Sequence, residues 1–200
     1  MNSPQAHLVD DDEAIRDALA WLLKSRNIAC TTYASAEHFL DAWCDTTSGC
    51  IVLDMRMSGM SGLDCFDILV TRGSKLPVIF LTGHGDVPLA VATLKRGAFD
   101  FFEKPFNDND LVTRVEEAMA MDAELRATHA TVNAVNERLS RLTSREKQIM
   151  EQVLAGKFNK VIADELNISM RTVEVHRANL FDKMQVKTAV ELANLLKLGR

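Results

Sequence analysis

Asp10 and Asp11 follow the run Ala6-His7-Leu8-Val9, Asp54 follows Cys50-Ile51-Val52-Leu53, Thr82 follows Val78-Ile79-Phe80-Leu81, and Lys104 stands just beyond Phe99-Asp100-Phe101-Phe102. In an open parallel α/β sheet the carboxyl ends of the strands face one crevice, so groups distant in sequence converge there. Carboxylates, a hydroxyl and an ammonium in one crevice suit phosphoryl transfer, which needs a nucleophilic oxygen, a divalent cation and fixed donors around the moving group. Asp54 is the candidate nucleophile, because a carboxylate at the mouth of a buried strand is costly without partners. Asp10 and Asp11 would join it as oxygen ligands for Mg2+, with the backbone carbonyl of Arg56 and waters completing six positions. Lys104 would face the phosphoryl oxygens, and the Thr82 hydroxyl would donate to one of them. Taken singly, such residues also cap helices and punctuate turns. Their placement at the ends of consecutive runs is what argues for a site.

The runs imply the elements that hold these groups. Ala6 to Val9, Ala29 to Tyr33, Cys50 to Leu53, Pro77 to Leu81 and Phe99 to Phe102 read as strands. Between them, Glu13 to Arg26, Ala36 to Trp43, Gly62 to Arg72 and Val87 to Arg96 read as helices, with another from Asp108; Ile15, Leu19, Leu22 and Leu23 form one apolar stripe and Asp12 is a plausible N-cap. Five βα units call for right-handed crossovers and a parallel sheet covered on both faces. The expected fold is therefore α/β, a flavodoxin-like doubly wound five-stranded parallel sheet over residues 1–118. Lys104-Pro105 is a candidate cis peptide.

From about Ala118 to Arg141 large apolar residues thin out, yet no Gly or Pro interrupts a helix. Leu111, Ala118, Leu125, Val132 and Leu139 recur every seven residues while the companion seam Val115, Asp122, His129 and Asn136 is mostly polar, so residues 119–141 read as a helical linker rather than a coiled coil. Residues 142–200 read as a small all-α domain of four helices. Thr143 and Glu146 form a capping box for Ser144 to Ala155, and Gly156 ends that helix. Asn159 to Leu166, the turn Asn167-Ile168-Ser169, and Met170 to Met184 then give the short helix, tight turn and longer helix of a helix-turn-helix, followed by Thr188 to Leu198.

The net charge of −5 is unevenly spread: residues 141–200 carry 11 Lys+Arg against 7 Asp+Glu, or +4, which leaves −9 for the rest. The basic end suits a polyanionic partner and the acidic part would repel one. With no long apolar stretch and no signal-peptide pattern at the start, the chain reads as cytoplasmic and unattached to a membrane. Cys30, Cys44, Cys50 and Cys65 lack zinc-ligand or redox spacing and are expected to be reduced, buried or half-buried thiols.

Residues 5–118 resemble a response-regulator receiver domain through Val9-Asp10-Asp11-Asp12, Leu53-Asp54-Met55-Arg56-Met57, Leu81-Thr82-Gly83-His84-Gly85 and Phe102-Glu103-Lys104-Pro105-Phe106. Residues 142–198 resemble the LuxR-type helix-turn-helix through Leu142-Thr143-Ser144-Arg145-Glu146 and Thr172-Val173-Glu174-Val175-His176-Arg177, and the order of the two, with Gly83-His84-Gly85-Asp86-Val87-Pro88, is most similar to the FixJ group. The resemblance implies a sensor histidine kinase that donates a phosphoryl group to Asp54, Mg2+ held by Asp10, Asp11 and Asp54, and switch residues Thr82 and Phe101. Phe101 lacks a hydroxyl for any hydrogen bond there. Family members usually carry proline where this chain has Ser58, so the loop after Asp54 is expected to be less rigid and the phosphoryl lifetime different.

For the output domain, Thr172, Glu174, Val175 and Ala178 are expected to face base edges of double-stranded DNA, with Arg171, Arg177, Lys183, Asn159 and Lys160 nearer the phosphates. The expected function is a phosphorylation-controlled transcription regulator, homodimeric when phosphorylated, favouring activation through RNA polymerase, with no enzymatic turnover beyond its own phosphorylation and slow dephosphorylation. The opposite charges make restraint of the basic domain by the acidic one reasonable. A stand-alone aspartate-nucleophile phosphatase fits less well, because Arg56 occupies the second position of its Asp-x-Asp pattern. A serine hydrolase fails on the spacing of Gly59-Met60-Ser61-Gly62. A receiver acting through protein or RNA contacts alone leaves the basic helix at 170–184 without a task.

Overall fold

The computed structural model describes residues 3–83 and 87–198, with backbone alone over 87–90, and the chain divides into two compact units that meet at Leu125 and Arg126. His84, Gly85 and Asp86 of the Gly83-to-Pro88 run lie outside the described residues. In the first unit β1 (Gln5–Val9), β2 (Cys30–Tyr33), β3 (Gly49–Asp54), β4 (Val78–Thr82) and β5 (Asp100–Glu103) alternate with α1 (Glu13–Ser25), α2 (Ala36–Ala42), α3 (Gly62–Thr71) and α4 (Val87–Lys95), and α5 (Asp108–Ser140) follows. The strands form one parallel sheet in the order β2-β1-β3-β4-β5. In this doubly wound order the chain reverses its direction of winding between β1 and β3, which opens a crevice at their carboxyl ends.

Alternation along the strands sends side chains to opposite faces. Val9, Ile51, Leu53, Val78 and Phe80 pack on Ala36, Phe39, Leu40, Cys65, Phe66 and Leu69, whereas Ala6, Leu8, Val52, Ile79 and Leu81 pack on Leu19, Leu23, Leu111, Val112 and Val115. β3, covered on both faces, is buried along its whole length, which is why its sequence is an unbroken apolar run. Asp12 caps α1, its carboxylate accepting from the amides of Ala14 at 2.9 Å and Ile15 at 3.4 Å. The third aspartate of the run is therefore committed to a helix end. All four cysteines are free; Cys44 departs from expectation in being exposed, and hydrogen bonds with Thr46 and Thr47 hold its thiol down to about 7.

The stretch expected as a helical linker is the later part of one long helix. α5 runs without a break across it, and its residues up to Leu125 belong to the first unit. Asp122, read from sequence as a polar seam position, is 2% exposed and accepts a 2.8 Å hydrogen bond from the amide of Gly49 at the start of β3. Further along, Arg138 donates to the carbonyl of Met184 at 3.1 Å and Leu139 joins the core of the second unit.

That second unit holds α6 (Ser144–Leu154), α7 (Asn159–Leu166), α8 (Met170–Met184) and α9 (Ala189–Leu198). Thr143 and Glu146 form the expected capping box, and Asn167, at φ 52°, closes α7 before Ser169 caps α8. Leu142, Ile149, Val153, Ile162, Val173, Leu180, Met184 and Leu192 make a small core. Among the described residues no helix is long and apolar enough to cross a membrane.

Candidate functional site

Register explains why the separated residues meet. Val9 pairs with Leu53, so Asp10 comes level with Asp54; Asp54 pairs with Leu81 and Thr82 with Glu103, which puts Thr82 and Lys104 successively higher at the same mouth. Lys104 Nζ donates to Asp10 Oδ2 at 2.9 Å and to Asp54 Oδ1 at 2.6 Å, between carboxylates whose residues are 2% and 7% exposed. The other Asp54 oxygen accepts from the Arg56 amide at 3.0 Å, and Asp10 Oδ1 accepts from the Asp12 amide at 2.9 Å. Asp11 is exposed, with Oδ2 held by the Ser58 amide at 2.7 Å. One oxygen from each of Asp10, Asp11 and Asp54 lies within 4.8 Å of the others. Three hard anionic oxygens at that spacing suit a small divalent cation such as Mg2+, which favours carboxylate and carbonyl ligands.

Burial pushes the Asp54 carboxyl above its ordinary range, and the Lys104 ammonium pulls it back only in part. Burial also works against the charged form of Lys104, but its hydrogen bonds to Asp54 and Asp10 outweigh that and hold the ammonium above its usual value. Asp11 is held below the usual carboxylate range, chiefly by the Ser58 amide and then by the Ser58 hydroxyl. Lys104 thus bridges the buried pair, one ammonium between two carboxylates, while Asp11 stands exposed at the rim.

Thr82 is fully buried and its hydroxyl donates to the carbonyl of Phe102 at 3.5 Å, so it faces β5 and not the carboxylates. Phe101 is half-buried against the α2–α3–α4 side of the sheet. Lys104-Pro105 is cis. Beside Lys104, residues Ile15, Leu19, Trp21, Leu22, Pro105 and Phe106 line an apolar cleft of about 500 Å³, and Trp21 is 75% exposed there. Sequence reading missed three supports of the pocket. Arg16 donates to the Asp10 carbonyl at 2.8 Å, Ser58 holds Asp11, and Gly62 lets the start of α3 approach the Asp54 carbonyl, where an added Cβ would lie 2.2 Å from that oxygen. The glycine after a capping serine was the available signal for the last of these.

In the helix-turn-helix, Arg171, Glu174, Val175 and Ala178 are exposed on α8, and Lys160 is exposed at the start of α7. Spacing of three and four residues places Arg171, Glu174, Val175 and Ala178 on one face. Thr172 is half-buried, and its hydroxyl lies 2.8 Å from that of Ser169. Arg177 falls on the opposite stripe with Val173, Leu180 and Met184; it is half-buried, lies over the Phe181 ring and donates to Asn159 Oδ1 at 2.7 Å. Arg177 and Asn159, both expected near phosphates, are hydrogen-bonded to each other across α8 and α7. Lys183, also expected near phosphates, donates to both carboxylate oxygens of Glu146, at 2.9 and 2.7 Å. Glu146 is 2% exposed, and leaving it unpaired would strand a buried charge. Burial opposes its ionisation, but Lys183 and the Thr143 cap hold its carboxyl below the ordinary value. The first turn of α7 has no side-chain cap at Phe158, leaving its leading amides to an outside acceptor.

Residues 6–116 match the response regulator receiver domain family, and residues 140–196 match the family of bacterial regulatory proteins of the luxR type. The transcriptional regulatory protein FixJ of Azorhizobium caulinodans is 45% identical over 193 residues, covering 96% of this chain and 92% of that protein. The C4-dicarboxylate transport transcriptional regulatory protein DctR of Rhodobacter capsulatus is 47% identical over 191 residues, covering 94% of this chain and 97% of that protein. Among solved structures, that of the response regulator StyR superposes with a TM-score of 0.91 at 38% identity over 98% of each chain. Full-length FixJ from B. japonicum gives 0.61 at 40% identity over 100% of this chain and 98% of that one.

Proposed function

The chain belongs to the response regulators, with a receiver domain followed by a LuxR-family DNA-binding domain, and from that membership we propose that Asp54 accepts a phosphoryl group from the phosphohistidine of a sensor histidine kinase and thereby controls promoter binding. The observation that carries this reading is the Lys104 ammonium set between Asp10 and Asp54 at 2.9 and 2.6 Å, beside a third carboxylate. An Asp54 oxygen attacks phosphorus; the new P–O bond forms as the P–N bond to the kinase imidazole breaks, and the leaving nitrogen keeps the electron pair. Lys104, already in place, turns from the Asp54 carboxylate to the phosphoryl oxygens, and Thr82 turns from the Phe102 carbonyl to one of them. Movement of Thr82 vacates space beside β5, where Phe101 can follow. That is the switch.

Asp10, Asp11 and Asp54 would hold Mg2+ together with the Arg56 carbonyl. When bound, the cation neutralises charge on the transferring oxygens. The apolar cleft beside Lys104, with Trp21 exposed in it, suits the partner that brings the phosphohistidine. On the output side, Arg171, Glu174, Val175 and Ala178 face base edges, with Thr172 behind them, while Lys160 and the uncapped first turn of α7 take phosphates. Arg177 acts by fixing α7 against α8. Phosphorylation promotes a homodimer that holds two half-sites, and the dimer activates transcription in the cytoplasm with RNA polymerase as its further partner.

Incubation with acetyl phosphate and Mg2+ tests the central step by mass. The wild-type chain is expected to gain one phosphoryl group and Asp54→Ala none. An unchanged wild-type mass, or the same gain in the variant, overturns the assignment.

A further inference from the structure

We propose that the backbone amide of Ser58 is a positioning group for the cation ligand Asp11. The inference rests on the Mg2+ reading above. Of the three clustered carboxylates, Asp10 and Asp54 are buried and tied by Lys104, whereas Asp11 is exposed at the rim. An exposed aspartate samples several rotamers, and ordering it costs entropy that subtracts from cation affinity. The Ser58 amide removes that freedom in advance by donating to Asp11 Oδ2 at 2.7 Å, and the Ser58 hydroxyl bonds the same carboxylate. One carboxylate oxygen is thereby fixed by a donor from the loop after β3, while an oxygen of the same residue lies within 4.8 Å of oxygens of Asp10 and Asp54.

Ser58 lies in the same short loop as the Arg56 carbonyl, between Asp54 and the Ser61 cap of α3. Beyond the last β1–β3 pairing, Val9 with Leu53, the amide therefore links the β1–α1 turn bearing Asp11 to the β3–α3 loop. Binding of a cation across them requires the two to stay in register. A residue without an N–H at position 58 cannot make this link, whatever its side chain.

Isothermal titration calorimetry of the full chain with Mg2+ tests the proposal in wild type, Ser58→Ala, Ser58→Pro, Asp11→Ala and the Asp11→Ala/Ser58→Pro double variant. Loss of one charge-assisted hydrogen bond is expected to weaken Mg2+ about tenfold in Ser58→Pro. Ser58→Ala keeps the amide and is expected to stay within about threefold of wild type. In the Asp11→Ala background the proline is expected to add nothing. The proposal is overturned if Ser58→Pro binds like wild type, if Ser58→Ala falls as far as Ser58→Pro, or if proline costs as much without Asp11, which would place its effect in loop distortion. Those results leave the phosphoryl-acceptor reading standing. A wild-type chain that takes up no Mg2+ overturns both.

Discussion

Gly62 opens α3 directly behind the Ser61 cap, its amide donates to the Met55 carbonyl at 3.2 Å, and any Cβ on it would sit 2.2 Å from the Asp54 carbonyl oxygen and 3.1 Å from the Met55 Cα. Those neighbours are backbone of the buried central strand, which cannot swing aside as a flexible side chain could. Gly62→Ala is therefore expected to destabilise the receiver by about 2–4 kcal/mol, within the range of overpacking and strained-site substitutions. Both tryptophans, Trp21 and Trp43, lie in the receiver, so urea unfolding followed by tryptophan fluorescence reads that unit alone. A midpoint equal to wild type would mean that α3 can retreat from Asp54 at no cost. The contrast between Gly62 and Asp54 also shows which single residues a sequence exposes. Asp10, Asp54 and Lys104 are charged groups at the ends of apolar runs, a conflict of polarity visible in one dimension. The Ser58 amide and the missing Cβ of Gly62 are properties of backbone placement, and every residue but proline has an amide N–H. Arg177 and Lys183 have partners within the protein that positive charge alone does not announce. The spacing 173-177-180-184 already put Arg177 on the buried stripe, and only the folded capping box shows that Glu146 needs Lys183.

Helix α5 is the element whose packing is hardest to see in the sequence. Its pattern of small and polar residues after Ala118 suggests a solvated connector, because a helix face without large apolar groups has little to bury. Val115, at 0% exposure, is nonetheless followed seven residues on by a buried position, and the residue there is Asp122, which earns its place by accepting from Gly49. Hydropathy reads a buried, paired carboxylate as surface, so the sequence alone does not show that Asp122 packs within the first compact unit, which runs to Leu125. Gly49 must itself be glycine, with φ at +111° and a would-be Cβ 1.9 Å from the Gln5 carbonyl oxygen. The hydrogen bond thus fixes the middle of α5 to the amino end of β3, the far end of the strand from Asp54. Asp122→Ala leaves the Gly49 amide unsatisfied and is expected to cost the receiver about 2 kcal/mol. The same fluorescence-detected urea titration measures it. Asp122→Asn retains an acceptor and should recover most of the loss; equal destabilisation by both would assign the effect to charge rather than to the bond.

At the scale of the whole molecule, charge divides the labour: +4 over residues 141–200 and −9 over the remainder. A basic domain attached to an acidic one is drawn to DNA by few contacts and opposed by its own partner domain, so each phosphate contact counts for a large share of binding. Lys160 is exposed at the second residue of α7 and has no hydrogen-bond or ion-pair partner among the described residues, unlike Lys157, which donates to Glu165 at 2.7 and 2.6 Å. It is the cation in that helix start able to release a counterion. Lys160→Ala is expected to reduce the slope of log affinity against log salt by about 1 and to weaken all duplexes alike, whereas Glu174→Ala, on the exposed stripe of α8, should alter preference at one base pair with the slope unchanged. Fluorescence anisotropy of the phosphorylated chain on a duplex enriched from a random pool, and on a scrambled duplex, separates the two outcomes. A slope unaffected by Lys160→Ala would move the phosphate contact away from the start of α7, and a sequence-selective loss would make Lys160 a reader of bases.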